Sequence, residues 1–153
     1  MLRGIYDNLP SSLQRGIDEL WSAIPPNIKL GTAYGDMRKL LSVSDSWTQD
    51  QIHAWQNTVI KKLLHHAYST TVFYRRIFDD AGFNPESFQD VFDLQRIPSI
   101  TKQTVQENMQ DMLSNAFSYK HRIRMTTGGT TGRQLVFYAQ KRFTMAREKA
   151  FFD

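Results

Sequence analysis

Eight consecutive residues carry the groups that bind anions: Thr126-Thr-Gly-Gly-Thr-Thr-Gly-Arg133. Gly128, Gly129 and Gly132 permit positive φ and let backbone approach a ligand closely. Successive amide N–H groups in such a run can form a concave nest around an anion. The hydroxyls of Thr126, Thr127, Thr130 and Thr131 are short donors, and Arg133 adds a fixed charge suited to phosphate oxygens. The run is not a Walker loop, which needs four residues between its glycines and then Gly-Lys-Ser/Thr, nor a GxGxxG dinucleotide fingerprint. A bare glycine-rich hairpin turn is the plainer alternative, and the density of threonines speaks against it.

The surroundings of this run are basic. Lys120, Arg122, Arg124, Arg133, Lys141, Arg142, Arg147 and Lys149 stand between residues 120 and 149 with Glu148 as the sole acid, a net charge of +7 against −3 for the rest of the chain. A field of that sign attracts phosphate-bearing partners. The plainer reading of such a segment is a solvated face, and a second functional reading is a small helical binding module whose basic segment contacts nucleic acid. No helix-turn-helix or RNA-binding signature accompanies the charge.

Two strands are expected to hold the loop. Residues 121–126 alternate apolar and polar side chains, and residues 134–139 form a second, apolar strand candidate. A helix over 141–152 follows, with Phe143, Ala146, Ala150 and Phe151 on one side. Upstream the periodicity is helical. Leu13, Ile17, Leu20, Trp21 and Ile24 predict a helix over 11–24, ended by Pro25 and Pro26. Residues 27–45, with Gly31 and Gly35, read as a surface loop docked by Leu40 and Leu41. Thr48 and Gln51 form a capping box for a helix over 49–68, whose apolar stripe is Ile52, Trp55, Val59, Leu63 and Ala67. His65 and His66 fall in its last turn, at the negative end of the dipole.

A helix over 71–81 buries Phe73, Tyr74, Ile77, Phe78 and Ala81 and stops at Gly82. After the Asn84-Pro85 turn, residues 87–100 read as a short helix and a tight connection, with Phe88, Val91, Phe92, Leu94, Ile97 and Ile100 as core candidates. Thr101 caps a further helix to Ser114.

Composition closes off several classes. Hydrophobic residues make up 41% and charged residues 22% of the chain, enough apolar content for a buried core. Without cysteine there is no disulfide framework, thiolate metal site or cysteine nucleophile. No run of about 18 apolar residues is present, and the first thirty residues lack the uninterrupted apolar centre of a signal peptide. The expected location is therefore cytoplasmic. His65 and His66 diverge by about 100° on a helix, which suits no shared metal site, and no metal ligands are assigned. Trp21, Trp47, Trp55 and the Phe73/Tyr74/Phe78 cluster read as core or interface.

The run Thr127-Gly-Gly-Thr-Thr-Gly-Arg133 resembles the phosphate-binding loop of adenylate-forming (AMP-binding) enzymes. The nearest branch is that of phenylacetate–coenzyme A ligases and the CapK-type proteins of polysaccharide gene clusters. Upstream, Leu63, Ala67 and Tyr68, then Phe73-Tyr74-Arg75, Gly82-Phe83, Asp93-Leu94, Ile97-Pro98 and Thr101-Lys102 are similar in order and spacing to the N-terminal helical region of that branch. The resemblance spans about residues 47–151. It implies ATP, Mg²⁺ and coenzyme A as cofactors and a small carboxylic acid as substrate: the carboxylate attacks the α-phosphate, pyrophosphate leaves, and a thiol takes the acyl group. A CapK-type protein would use a different acyl acceptor.

By that resemblance Thr126, Thr127, Gly128, Gly129, Thr130, Thr131, Gly132 and Arg133 bind the ATP phosphates. Arg133 stands where lysine is common and Gln134 where proline is common. The acids for magnesium and ribose, the adenine pocket and a C-terminal lysine would all lie downstream, so the catalytic residues are not assigned within these 153 residues.

The expected fold class is α/β: the helix-rich N-terminal part of an adenylate-forming large domain. It would comprise a helix and loop extension (1–46), a helical region (47–117) and a phosphate-loop unit (118–153). Two strands rarely make a stable sheet alone. The chain therefore reads as the N-terminal piece of something larger, inactive by itself, with Leu135, Phe137, Tyr138, Phe143 and Phe151 inviting self-association.

Overall fold

The computed structural model describes residues 6–128 and 134–153, and most of them are helical. In chain order the elements are α1 (Ser11–Ala23), α2 (Pro26–Leu30), α3 (Thr32–Ser44), α4 (Gln49–Thr70), α5 (Val72–Asp80), α6 (Lys102–Glu107), β1 (Arg122–Thr126), β2 (Val136–Gln140) and α7 (Lys141–Phe152). Short 3₁₀ turns stand at Pro85–Ser87, Val91–Arg96 and Tyr119–His121. The α/β expectation is thus met coarsely, as helices with one small antiparallel strand pair. The chain divides into two units, one the stretch up to Ser42 with Met145–Asp153, the other Val43–Thr144.

In the second unit, α4 starts as its sequence dictates. The Gln51 amide donates to Thr48 Oγ1 at 3.3 Å, and the Thr48 amide donates to Gln51 Oε1 at 2.8 Å. This capping box satisfies two amides at the helix start. Thr48→Ala is expected to cost about 1 kcal/mol, read as a lower urea midpoint with unchanged slope.

The stripe expected to face inward on α4 is the wrong one. Trp55, Val59 and Leu63 are exposed, while Leu64 is buried, with Ile60 and Tyr68 packed beside it. The row at four-residue spacing through positions 60, 64 and 68 meets the core because α5 turns back onto that side. Trp55 instead lies 5.8 Å from Trp47. The two histidines are also not in the last turn, since α4 runs on to Thr70. His65 faces Glu86 at 3.4 Å and His66 faces Ser114 at 3.1 Å, so their partners are side chains rather than the helix end.

Thr71 joins α4 to α5 without a loop. Its amide and hydroxyl both donate to the Ala67 carbonyl, and its Oγ1 accepts from the Tyr74 amide. Phe73 and Phe78 of α5 are buried, and Gly82 ends the segment at φ 60°, a conformation that favours glycine. The core is Leu64, Phe78, Phe83 and Phe88, with Leu94 and Ile97 packed against it. The Val91–Arg96 segment is a 3₁₀ turn that points Val91 and Phe92 outward, so these two are not core. The helix begun by Thr101 ends at Glu107, not at Ser114, because the Asn108 side chain turns back to donate to the Thr104 carbonyl.

In the first unit, α1 has the expected bounds, but Leu13, Ile17, Leu20 and Trp21 are all exposed. Residues 27–45 are helical rather than a loop. Only Gly31, at φ 74°, breaks the run, and Gly35 sits within α3, where one glycine costs about 1 kcal/mol against alanine. The last turns of α7 lie against α3: Ala146 and Ala150 are fully buried, Arg38 donates to the Ala150 carbonyl and Tyr34 to the Asp153 carboxylate at 2.8 Å. Phe143 and Phe151, expected on the same side as the alanines, are exposed. Among the described residues, no helix is long and apolar enough to cross a membrane.

Candidate functional site

β1 and β2 pair antiparallel with Arg122 opposite Gln140, Arg124 opposite Tyr138, and Thr126 opposite Val136 on one face. Ile123 and Met125, opposite Ala139 and Phe137, occupy the other. The same register carries on for one more pair. The Thr127 amide donates to the Leu135 carbonyl at 3.0 Å, and the Leu135 amide donates to Thr127 Oγ1 at 3.1 Å. The Thr127 hydroxyl thus takes the place of its own carbonyl in the ladder. The ribbon is closed there, at the two ends of the Gly/Thr run.

Thr127 therefore acts as a clasp. Its oxygen is occupied by Leu135, and its hydroxyl proton is still available to a ligand. Thr126 is exposed on the face that also carries Arg124. Gly128 does not use positive φ, and a Cβ there would meet nothing within 4 Å. Neither the turn nor a protein neighbour requires glycine at that position. Gly129, Thr130, Thr131, Gly132 and Arg133 lie outside the described residues.

Gln106 is a contributor the sequence gave no sign of. Its side-chain amide donates to the Gln134 carbonyl at 3.2 Å, tying the end of α6 to the residue that follows the run. A link between positions 28 apart leaves no periodic signal.

The basic field is partly spent inside the protein. Arg122 Nη2 donates to the Ser114 and Phe117 carbonyls, each at 2.7 Å. In the other unit Lys149 pairs with Asp153, whose carboxyl is held below its ordinary range by that lysine first and by the Tyr34 hydroxyl second. Arg124 is thus the exposed described cation nearest the run along β1.

Ser114 meets His66 and Thr70, and proton bookkeeping defines its role. Thr70 donates its proton to the His66 carbonyl at 2.6 Å, so the 3.0 Å contact between Ser114 and Thr70 uses the Ser114 proton. His66 Nε2 must then donate to Ser114 at 3.1 Å. A serine that receives a proton from histidine is not an activated nucleophile. The network is structural, and with the Asn115 amide on the Thr70 carbonyl it pins the chain ahead of β1 to α4. Among the described residues there is no group of three or more His, Asp or Glu side chains placed to hold a metal.

The described part of the site is a two-strand antiparallel ribbon closed by a threonine clasp at the two ends of a Gly/Thr run. The chain is similar to curated proteins of the phenylacetate–coenzyme A ligase and CapK type. It is 35% identical to the phenylacetate-coenzyme A ligase of Escherichia coli (strain K12) over 92 residues, 60% of this chain and 21% of that protein. The phenylacetate-coenzyme A ligase of Thermus thermophilus is 39% identical over 56 residues, 37% of this chain and 12% of its own length. Protein CapK of Staphylococcus aureus is 23% identical over 120 residues, 78% of this chain and 24% of CapK. The matches thus span no more than about a quarter of these curated relatives. No protein-family model matches the chain.

Proposed function

We propose that this chain is the phosphate-gripping segment of an ATP-dependent carboxylate-activating ligase, acting through residues 126–133. The similarity to phenylacetate-coenzyme A ligases carries the reading, and the clasp of Thr127 on Leu135 gives it a physical form. The closure of the ribbon at Thr127 and Leu135 brings together the two ends of the run that carries these amides and hydroxyls. When ATP is bound, these donors meet the β- and γ-phosphates, and Arg133 offsets charge that grows on the departing pyrophosphate. Donors fixed beforehand stabilise such charge without reorganising at the moment of reaction. ATP would supply the adenylyl group to the carboxylate, with pyrophosphate as the leaving group. Thr126, Thr127 and Arg124 hold and orient its tail. The match to CapK supports a second reading, transfer of the acyl group to an acceptor other than coenzyme A.

Amide resonances test this directly. Pyrophosphate and ATP titrated into the chain are expected to shift Thr126, Thr127 and Gly128 saturably, with AMP much weaker. Equal shifts by AMP, or none, would remove the assignment. The 153-residue chain alone is expected to release no pyrophosphate in a carboxylate-dependent way, because it spans about a fifth of the Escherichia coli ligase.

A further inference from the structure

Helix α1 is 13 residues long and none of them is buried. A helix of that length is marginal in water unless one of its faces is packed. Leu20 is 73% and Trp21 61% exposed, and Leu13 and Ile17 are exposed beside them. Leu13, Ile17, Leu20 and Ile24, the residue that caps α1, follow one another at spacings of four, three and four. That is the seam of a coiled coil, heptad positions d, a, d and a. The charged residues Arg15, Asp18 and Glu19 fall at the outer positions f, b and c, so the seam itself carries no charge. Two acids against one base make α1 a poor match for an anionic lipid surface.

The flanks of the seam suit an antiparallel pair of identical helices. Gly16 and Ala23 hold one flank, Gln14 and Trp21 the other. A two-fold antiparallel arrangement sets Ile17 against Leu20, Leu13 against Ile24, Gly16 against Ala23 and Gln14 against Trp21, each contact occurring twice. A Cβ on Gly16 would meet nothing within 4 Å, so no described neighbour in the chain accounts for a residue that weakens a helix. A second backbone approaching closely on that flank does. On the other flank, Gln14 Nε2 donates to the Tyr6 and Leu9 carbonyls at 3.1 and 3.0 Å. Its Oε1 has no donor among the described residues, and the Trp21 indole N–H has no acceptor there. Antiparallel pairing also sets the two helix dipoles head to tail. Two such faces cover on the order of 800 Å², the low end for specific association, so the pairing depends on concentration.

We propose that α1 is a dimerisation helix, which pairs antiparallel with α1 of a second copy of this chain along Leu13, Ile17, Leu20 and Ile24. This surface is separate from the exposed Phe143 and Phe151 of α7 and includes no residue of the Gly/Thr run. The proposal therefore stands or falls apart from the nucleotide reading.

Sedimentation equilibrium of the whole chain, from about 5 to 500 μM to match an interface of this size, is expected to show a monomer–dimer equilibrium. Leu20→Asp buries a charge at a contact made twice, and should raise the dissociation constant by about a hundredfold or more. Gly16→Leu favours the helix yet should weaken the dimer by about tenfold or more, the reverse of what a glycine with no partner would give. Phe151→Asp should leave the dimer unchanged. The chain has no cysteine, so paired thiols give a reading of orientation without background. Leu13→Cys mixed with Ile24→Cys is expected to form the mixed disulfide in excess over either homodimer. A chain that is monomeric throughout, a dimer that survives Leu20→Asp, association abolished by Phe151→Asp, or a preference of Leu13→Cys for linking to itself would each overturn the proposal.

Discussion

Phe78→Ala is expected to lower the stability of the Val43–Thr144 unit by about 3–5 kcal/mol, a large part of the 5–15 kcal/mol that holds an ordinary domain together. The side chain is 2% exposed and sits at the centre of an aromatic cluster. Its ring stacks on Tyr68 at 6.2 Å, meets Phe83 edge-on at 5.3 Å and Tyr74 at 6.1 Å. Alanine removes the transfer energy of the ring and leaves a cavity that three aromatic neighbours cannot close. Tyr68 is further fixed by its hydroxyl, which donates to Asp79 at 2.9 Å and is thereby raised above the ordinary phenol range. It cannot swing inward without giving up that bond. Phe92→Ala is the control: Phe92 is 73% exposed, so its loss should stay within about 0.5 kcal/mol. Urea unfolding followed by Trp47 and Trp55 fluorescence separates the two. Similar midpoints for both variants would mean that the core is elsewhere.

That pair shows what was legible in the sequence. The capping box at Thr48, the helix ending at Gly82 and the two strands around the Gly/Thr run all follow from local chemistry, and local chemistry is printed in adjacent residues. The inward face of α4 was not legible. Ile52, Trp55, Val59 and Leu63 make a sound helical stripe, as do Ile60, Leu64 and Tyr68. Only the position of α5, set by Thr71 and the buried Phe73 and Phe78, selects between them. Residues 27–45 failed for the opposite reason. Gly31 and Gly35 lowered the helical expectation, yet one of them serves the break at φ 74° and the other lies within α3, whose Tyr34 and Arg38 bond to the end of α7.

At the candidate site, the residue types of the Gly/Thr run were legible, and their division of labour was not. Composition makes every threonine an equal donor. The ladder assigns Thr127 to the clasp and leaves Thr126 exposed. Charge counting likewise treated Arg122 and Arg124 alike, whereas Arg122 is spent on two carbonyls and Arg124 is exposed. Gln106 and the His66–Ser114–Thr70 network depend on contacts across 28 and more positions, which no local pattern encodes.

Arg133→Ala is expected to weaken pyrophosphate binding by about tenfold or more while leaving the urea midpoint unchanged. A hydrogen bond to a charged group contributes about 1.5–3 kcal/mol, and 1.4 kcal/mol is a factor of ten in affinity. Arg133→Lys keeps the charge and loses the fork of donors, so its loss should be smaller. Thr127→Val divides the effects the other way. Valine preserves shape but gives the Leu135 amide no acceptor, so about 1 kcal/mol of stability should go with the clasp, and pyrophosphate affinity should fall because the donors are no longer held together. Salt supplies the deciding control. Raising ionic strength from 0.05 to 0.5 M, round values of about those sizes, shortens the screening length and should weaken the unmodified chain more than Arg133→Ala, which has one fewer charge to screen. Parallel salt slopes for the two, with equal affinities, would mean that Arg133 never meets the phosphates, and the Gly/Thr run would then be a turn and nothing more.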